Sequence, residues 1–357
     1  MLRTLSTRRA LTPLLLTALL ATSALNARAA DYTVKTLADG LNFPWSIAFL
    51  PDGEYLVAEL GGQLLRLNDE GLVGPPIQGV PKVFRAGQGG LFDVLLDPDF
   101  ATNSKLYLSY AAGNNDANAT TVASAVIEGN QLTNVQVIFE ANPKKYAPLH
   151  YGGRMVWLNE DTLLLTTGDG FDFREEAQNQ TTHFGKTIAI NKETGEATVY
   201  TSGHRNPQGL AISKSGVIYL NEHGPKGGDE VNIITQGKNY GWPAITYGMD
   251  YNGAYVSPFT EHPSMEQPIH VWTPSIAPSG FMIYEGDMFP EWQNDLFVGA
   301  LVDAEVRRLD LKGSEIVAED TVFPEISARI RDVREGLNGE IFVLTDGPTG
   351  QVLAITQ

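Results

Sequence analysis

Six times along the chain a short polar turn gives way to a run of apolar or alternating character. Leu50-Pro51-Asp52-Gly53 leads into residues 54–58, and Asp97-Pro98-Asp99-Phe100 precedes 105–110. Asn159-Glu160-Asp161 precedes 162–166, and Ser213-Lys214-Ser215-Gly216 precedes 217–220. Trp292-Gln293-Asn294-Asp295 and Leu337-Asn338-Gly339-Glu340 open 296–299 and 341–344. With Asp52, Pro98, Glu160, Ser215, Asn294 and Asn338 as markers, the steps are 46, 62, 55, 79 and 44 residues. Runs of this kind bounded by Gly, Pro, Asn and Asp read as strands, and the spacing is that of a four-stranded blade with variable loops. No long stretch has helical periodicity; only 175–178 hints at a helical turn. The pattern predicts an all-β chain, a six-bladed β-propeller of four-stranded antiparallel blades, with a β-sandwich or two smaller β domains as alternatives. In a propeller, loops remote in sequence converge at one mouth of the central channel.

The first 30 residues break this pattern. Arg3, Arg8 and Arg9 form a basic head, residues 11–20 an apolar core, and Ala27-Arg28-Ala29 a small-x-small cleavage site. This is the layout of a cleavable export signal, with a faint twin-arginine character at residues 7–11. The apolar run is too short to span a bilayer, and no later stretch reaches 18 consecutive apolar residues. The expectation is a periplasmic or secreted protein with no membrane span. Residues 31–357 are expected to form a single catalytic propeller domain, since no Ser/Gly tract, Pro-rich run or charge block divides them.

Charge and cysteine content narrow the partners. The chain has 25 basic and 42 acidic side chains, a net charge of −17. Removing the four arginines of the acid-free leader takes it to −21. Such a surface argues against nucleic acid or an anionic membrane as partner, and it makes a local cluster of arginines informative. There is no cysteine. Disulfides, thiolate metal sites and cysteine nucleophiles are thus excluded, and stability must come from the core, from closure of the architecture or from hard cations.

The densest chemistry lies between Gly203 and Pro243. Two loops broken by Gly and Pro carry Arg205, Asn206, His223, Lys226, Asp229 and Glu230. Arg205 can grip a carboxylate in a bidentate fork, and carbonyls freed by Gly224 and Pro225 can face a hard cation. His150, in Leu149-His150-Tyr151-Gly152-Gly153-Arg154, is a candidate base. Asp169, at the far end of the following strand or hairpin, can fix its tautomer and raise its basicity. His183, His204, His223, His262 and His270 compete for that role, and no pair has the i, i+4 spacing of a helical zinc site. Arg329-Ile330-Arg331-Asp332 places two guanidinium groups on one face of an extended segment, suited to an anion with several carboxylates or phosphates. Asp332 and Glu335 are the nearby acids that would pair with them on an ordinary surface strand. The loop around Gln88 is glycine-rich without being a dinucleotide fingerprint.

In this order the motifs resemble those of the soluble pyrroloquinoline quinone (PQQ)-dependent sugar dehydrogenases, of the glucose/sorbosone dehydrogenase type, and most of all the compact bacterial aldose sugar dehydrogenases. The resemblance runs from about Leu41 to the C-terminus. Its blocks are Gly87-Gln88-Gly89-Gly90-Leu91 with Asp97-Pro98-Asp99-Phe100, His150-x-x-Gly153-Arg154 and Gly168-Asp169. Gly203-His204-Arg205-Asn206-Pro207-Gln208-Gly209-Leu210, His223-Gly224-Pro225 with Gly228-Asp229-Glu230, Asn239-Tyr240-Gly241-Trp242-Pro243, Ile276-Ala277-Pro278-Ser279-Gly280 and Arg329-x-Arg331-Asp332 follow. The resemblance implies a six-bladed propeller that oxidises aldose sugars at C1 and passes the electrons to an unknown acceptor. It implies His150 as base and Asp169 beside it, with Gln88 near base and cofactor. Arg205, Asn206, Arg329 and Arg331 would bind PQQ, Gly224 and Pro225 the cofactor's Ca2+, and Glu230 and Tyr240 a second, structural Ca2+. One departure is Val302, where relatives often carry a lysine; Lys226 is an alternative source of that charge. The segment 186–200 also looks shorter than in many relatives. A calcium-dependent lactonase-like hydrolase and a non-catalytic binding propeller are the competing readings.

Overall fold

The computed structural model describes residues 31–357; the expected export segment lies outside the described residues. Six four-stranded antiparallel sheets follow one another along the chain. Five of them take four consecutive strands each, the first running from Pro44–Phe49 through Tyr55–Glu59 and Gln63–Asn68 to Gly71–Leu72. The sixth is assembled from both ends of the chain. Ile330–Glu335, Ile341–Thr345 and Gly350–Thr356 are completed on the outside by Thr33–Leu41, with Thr33 opposite Thr356 and Lys35 opposite Ala354. The innermost strands touch in cyclic order, Ile330–Glu335 meeting Pro44–Phe49, so the ring closes. The fold is a six-bladed β-propeller. Closure through the N-terminal strand removes the free edge that an open ring would leave, which suits a chain with no disulfides.

All six sequence markers fall on the turn between the first and second strand of a blade. The second strand lies between neighbours within its sheet and between two neighbouring sheets. Tyr55–Glu59, Ile218–Glu222, Leu296–Ala300 and Ile341–Thr345 are buried at every position. A strand buried on both faces reads as a continuous apolar run, and that is the signal the sequence carries. The helical hint at 175–178 is a 3-10 turn, Arg174–Gln178.

The channel is not empty of charge. Arg154 Nη1 lies 3.1 Å from Asp332 Oδ2 and 3.6 Å from Asp93 Oδ1, while Arg334 bonds the same two carboxylates at 3.0 and 3.2 Å. The Arg154 guanidinium also lies over Trp45, 4.1 Å from the ring centroid. Two cations and two anions cancel, as buried charges must to be tolerated. This network ties the inner edges of the second, third and sixth blades together beneath the mouth.

Candidate active site

The loops that enter the innermost strands share one mouth with those that join second to third strands. The first kind delivers Phe43, Gln88, His150, Arg205, Asn206, Ala277 and Arg329; the second delivers Asp169, Gly224, Val302 and Asp346. Two adjacent cavities open there. One, of about 310 Å³, is lined by Arg85, Gln88, Asn206, Gln208, His223, Val302, Arg329, Arg331 and Asp346 over an apolar wall that includes Trp45, Phe92 and Tyr151. The other, of about 360 Å³, is lined by His150, Asp169, Phe171, Asp172, Arg174, Arg205, Pro225, Trp242, Asp250, Tyr251 and Val256. Both fall at the lower end of the size range of small-molecule sites.

His150 is buried, with 5 % of its surface exposed, and its backbone is left-handed, φ 50°. Its backbone N–H donates to Gln88 Oε1 at 2.8 Å, and its Nδ1 lies 2.7 Å from Asp169 Oδ1. The hairpin thus returns Asp169 to the mouth, as the spacing suggested. Asp169 is held in turn by the Phe171 amide at 2.8 Å and by Trp242 Nε1 at 2.8 Å. A carboxylate here fixes the proton on Nδ1 and leaves Nε2 as the basic nitrogen. Burial lowers the His150 pKa, the Arg205 and Lys145 cations add to that, and together they outweigh the upward pull of Asp169. For Asp169 burial pulls upward, but the hydrogen bond and charge of His150, with Arg205 and the Phe171 amide, hold the carboxyl below its ordinary value. The resting pair is therefore neutral imidazole and ionised carboxylate.

Arg329 and Arg331 lie on one face, as their alternation predicted, and both line the 310 Å³ cavity. Their partner is neither Asp332 nor Glu335. Both reach Asp346, Arg329 at 3.1 Å and Arg331 at 3.3 Å, while Arg329 also donates to the Leu301 carbonyl at 2.9 Å. Asp332 points the other way, into the channel network, because strand neighbours alternate in direction. Two guanidinium groups around one carboxylate leave an excess positive charge in the cavity, to which Arg85 and the amides of Gln88 and Asn206 contribute further donors. Val302 is 62 % exposed and lines this cavity; Lys226 is exposed and lines neither.

The loop from His223 to Asp229 is tightly folded. A Cβ on Gly224 would come within 2.3 Å of the Gly227 and Gly228 carbonyls, so only glycine fits. Asp229 holds this loop rather than lining a cavity: it accepts from the Gly224 amide at 2.8 Å, the Ala277 amide at 2.9 Å and Ser275 at 2.6 Å. Arg205 spans the gap to the loop, donating to the Gly224 carbonyl at 2.7 Å and the His223 carbonyl at 3.2 Å. Behind it is a void of about 10 Å³ bounded by Gly203, Glu222, Gly224, Glu230, Tyr240 and Thr246, room for about one water or ion. Burial raises the Glu230 carboxyl well above its ordinary value, and the Glu222 and Asp229 charges push it further. The Tyr240 hydroxyl is engaged with Ile233 and Thr235, so a cation here meets that residue only through its backbone. Among the described residues no three His, Asp or Glu side chains cluster as a metal site. Backbone carbonyls such as those of Gly224 and Pro225 are further oxygen donors of the kind a hard cation takes.

Arg85, Phe171, Arg174, Trp242 and Tyr251 are site residues that sequence reasoning did not single out. Trp242 alone had a signal, its place in the Asn239-Tyr240-Gly241-Trp242-Pro243 block. The others come from loops with no distinctive pattern.

Comparison with known proteins bears on this architecture. The family model for glucose/sorbosone dehydrogenases matches residues 41–354. The aldose sugar dehydrogenase of Escherichia coli is 37 % identical over 94 % of this chain and 95 % of its own length. Among solved structures, the apo form of the soluble aldose sugar dehydrogenase from E. coli superposes with a TM-score of 0.86 at 37 % identity, covering 91 % of this chain and 99 % of that one. The PQQ-bound form of the aldose sugar dehydrogenase from Streptomyces coelicolor does so with a TM-score of 0.76 at 25 % identity, covering 91 % and 99 %. With a family model spanning nearly all the described strands, and relatives matching end to end, this chain belongs to the glucose/sorbosone dehydrogenase family.

Proposed function

We propose that the protein is a periplasmic quinoprotein dehydrogenase that oxidises the C1 hydroxyl of aldose sugars to the lactone, with PQQ and Ca2+ as cofactors. The observation that carries this reading is the juxtaposition of a neutral His150, locked on Asp169 at 2.7 Å, with an arginine-lined cavity in a chain of net charge −17. The donor set fits a flat tricarboxylate: three guanidinium groups and three amides line the 310 Å³ cavity, and its one carboxylate, Asp346, is already paired. The donor set also fits a cation. Glu230, with its raised carboxyl, and its strand neighbour Glu222 both line the small void. Gly224 and Pro225 would present carbonyls to the cofactor's Ca2+, and Glu230 with the Tyr240 backbone would hold the structural one.

When bound, PQQ with its Ca2+ supplies the hydride acceptor. The chain's own residues supply the rest. The sugar sits in the 360 Å³ cavity, where Phe171 and Tyr251 offer aromatic faces and Asp172, Arg174 and Asp250 offer polar groups. His150 Nε2 takes the proton of the C1 hydroxyl, and Asp169 stabilises the imidazolium that forms. Loss of that proton and of hydride from C1 leaves the lactone, two electrons having moved to the acceptor. The open, polar wall suits mono- and disaccharide aldoses with little discrimination. A lactonase has no use for the Arg329 and Arg331 pair, which is why the dehydrogenase reading is preferred. Adding PQQ and Ca2+ to purified apoprotein and following dye reduction over a sugar panel tests it. Turnover of several aldoses is expected; reconstituted protein inert towards all of them would refute it.

Val302 tests the cavity assignment separately. Because its side chain lines the cavity and Lys226 does not, Val302→Lys is expected to add a charge-assisted contact of about 1.5–3 kcal/mol, tightening PQQ binding by roughly tenfold to a hundredfold. Lys226→Ala is expected to leave the affinity unchanged. An unaltered dissociation constant for the Val302 variant places the quinone elsewhere.

A further inference from the structure

Lys145 is a buried lysine with no ion pair among the described residues. It is 4 % exposed, and its backbone is fixed by reciprocal bonds to Asn118 at 2.8 and 2.9 Å. Its ammonium donates to the carbonyl of Leu149, lies 3.4 Å from the carbonyl of His150, and sits 3.6 Å from the centroid of the Tyr151 ring. Those three residues are the turn that carries the candidate base. His150 occupies the left-handed region at φ 50°, which a residue with a Cβ adopts infrequently and keeps only when its surroundings hold it there. On its other side the His150 carbonyl is packed so closely on Gly168 that a Cβ there would come within 2.4 Å.

We propose that Lys145 is a positioning residue of the active site: its buried ammonium grips the Leu149 and His150 carbonyls and fixes the left-handed turn from which the His150 imidazole meets Asp169 and the substrate cavity. The inference rests on His150 being the base. Its electrostatic consequence has a definite sign. Asp169 and Asp172, on the loop after the third blade's second strand, face Lys145, and Arg205 acts on the His150–Asp169 pair from the neighbouring blade. Burial pushes the Lys145 pKa down to about 7 while the two aspartates pull it up, and the ammonium helps to hold the His150 pKa low. In the acidic range where His150 titrates, Lys145 is still charged. Removing that charge must raise the His150 pKa.

The test compares Lys145→Met and Lys145→Arg with the parent protein. The His150 imidazole is titrated by NMR in the apoprotein, and kcat, sugar KM and quinone affinity are measured in the reconstituted enzyme. Lys145→Met is expected to move the His150 titration and the acidic limb of kcat to higher pH together. It is expected to lower kcat by about tenfold to a hundredfold, the range that a small misplacement of a reacting group produces, with KM and quinone affinity within about twofold. Lys145→Arg, which keeps the cation, is expected to retain the parent titration; if the methionine variant does not fold, Lys145→Gln replaces it. A folded neutral variant whose His150 titration and kcat match the parent overturns the proposal. The NMR arm needs no quinone, so a failure of the parent and variants alike to oxidise sugar refutes the dehydrogenase reading without deciding this one.

Discussion

Replacing His150 with alanine is expected to lower kcat for aldose oxidation by about 10²–10⁴-fold, the usual contribution of a positioned general base. Quinone affinity is expected to stay within a few-fold, because His150 lines the 360 Å³ cavity while Arg85, Arg329 and Arg331 line the other. The same pair predicts a pH dependence. The active form is the neutral imidazole, and burial with the Arg205 and Lys145 cations lowers the His150 pKa. The plateau of kcat should therefore extend below the ordinary imidazole pKa of about 6.5 before activity falls with acid. Asp169→Asn should cost less than His150→Ala yet move the acidic limb further down, since it removes the charge that favours imidazolium. Full turnover in a reconstituted His150→Ala enzyme would rule out the assigned role.

Chelation is the second large effect. Stripping Ca2+ should abolish sugar oxidation and lower the melting temperature, with both recovered on adding Ca2+ back. A cation held only by the native state stabilises it by linkage, about 2.7 kcal/mol at a hundred times its dissociation constant. The pH dependence follows from Glu230, whose carboxyl is raised by burial and by the Glu222 and Asp229 charges. In the metal-free fold its contribution is fully present below the unfolded pKa and is lost as pH rises through the folded one. The drop in melting temperature on chelation should accordingly be larger near about pH 8 than near about pH 5. Glu230→Gln should shrink that difference, because the amide carries no charge to relieve. Metal removal that is confirmed analytically but changes neither stability nor activity would eliminate both cation sites.

The blade count was legible because each blade's second strand is largely covered on both faces, so its sequence is a mainly apolar run behind a polar turn. The outer strands had no such constraint. Gly71–Leu72 is two residues long, and Glu315–Val322 has no fully buried position, so neither needs a hydrophobic signature. The N-terminal strand Thr33–Leu41 could not be assigned to the last blade from local pattern, since its partners lie some 300 residues away.

The site divides along the same line. His150, Asp169, the Arg205 and Gly224 loops and the Arg329/Arg331 alternation stood out because glycine, proline and period-two spacing are local constraints written into neighbouring residues. That Asp346, not Asp332 or Glu335, joins the two arginines, that Trp242 donates to Asp169, and that Lys145 is buried behind His150 were decided only when six blades brought their loops to one mouth. Backbone conformation is governed by near neighbours, whereas burial, pairing and pKa depend on which distant side chains closure of the ring places within a few ångströms.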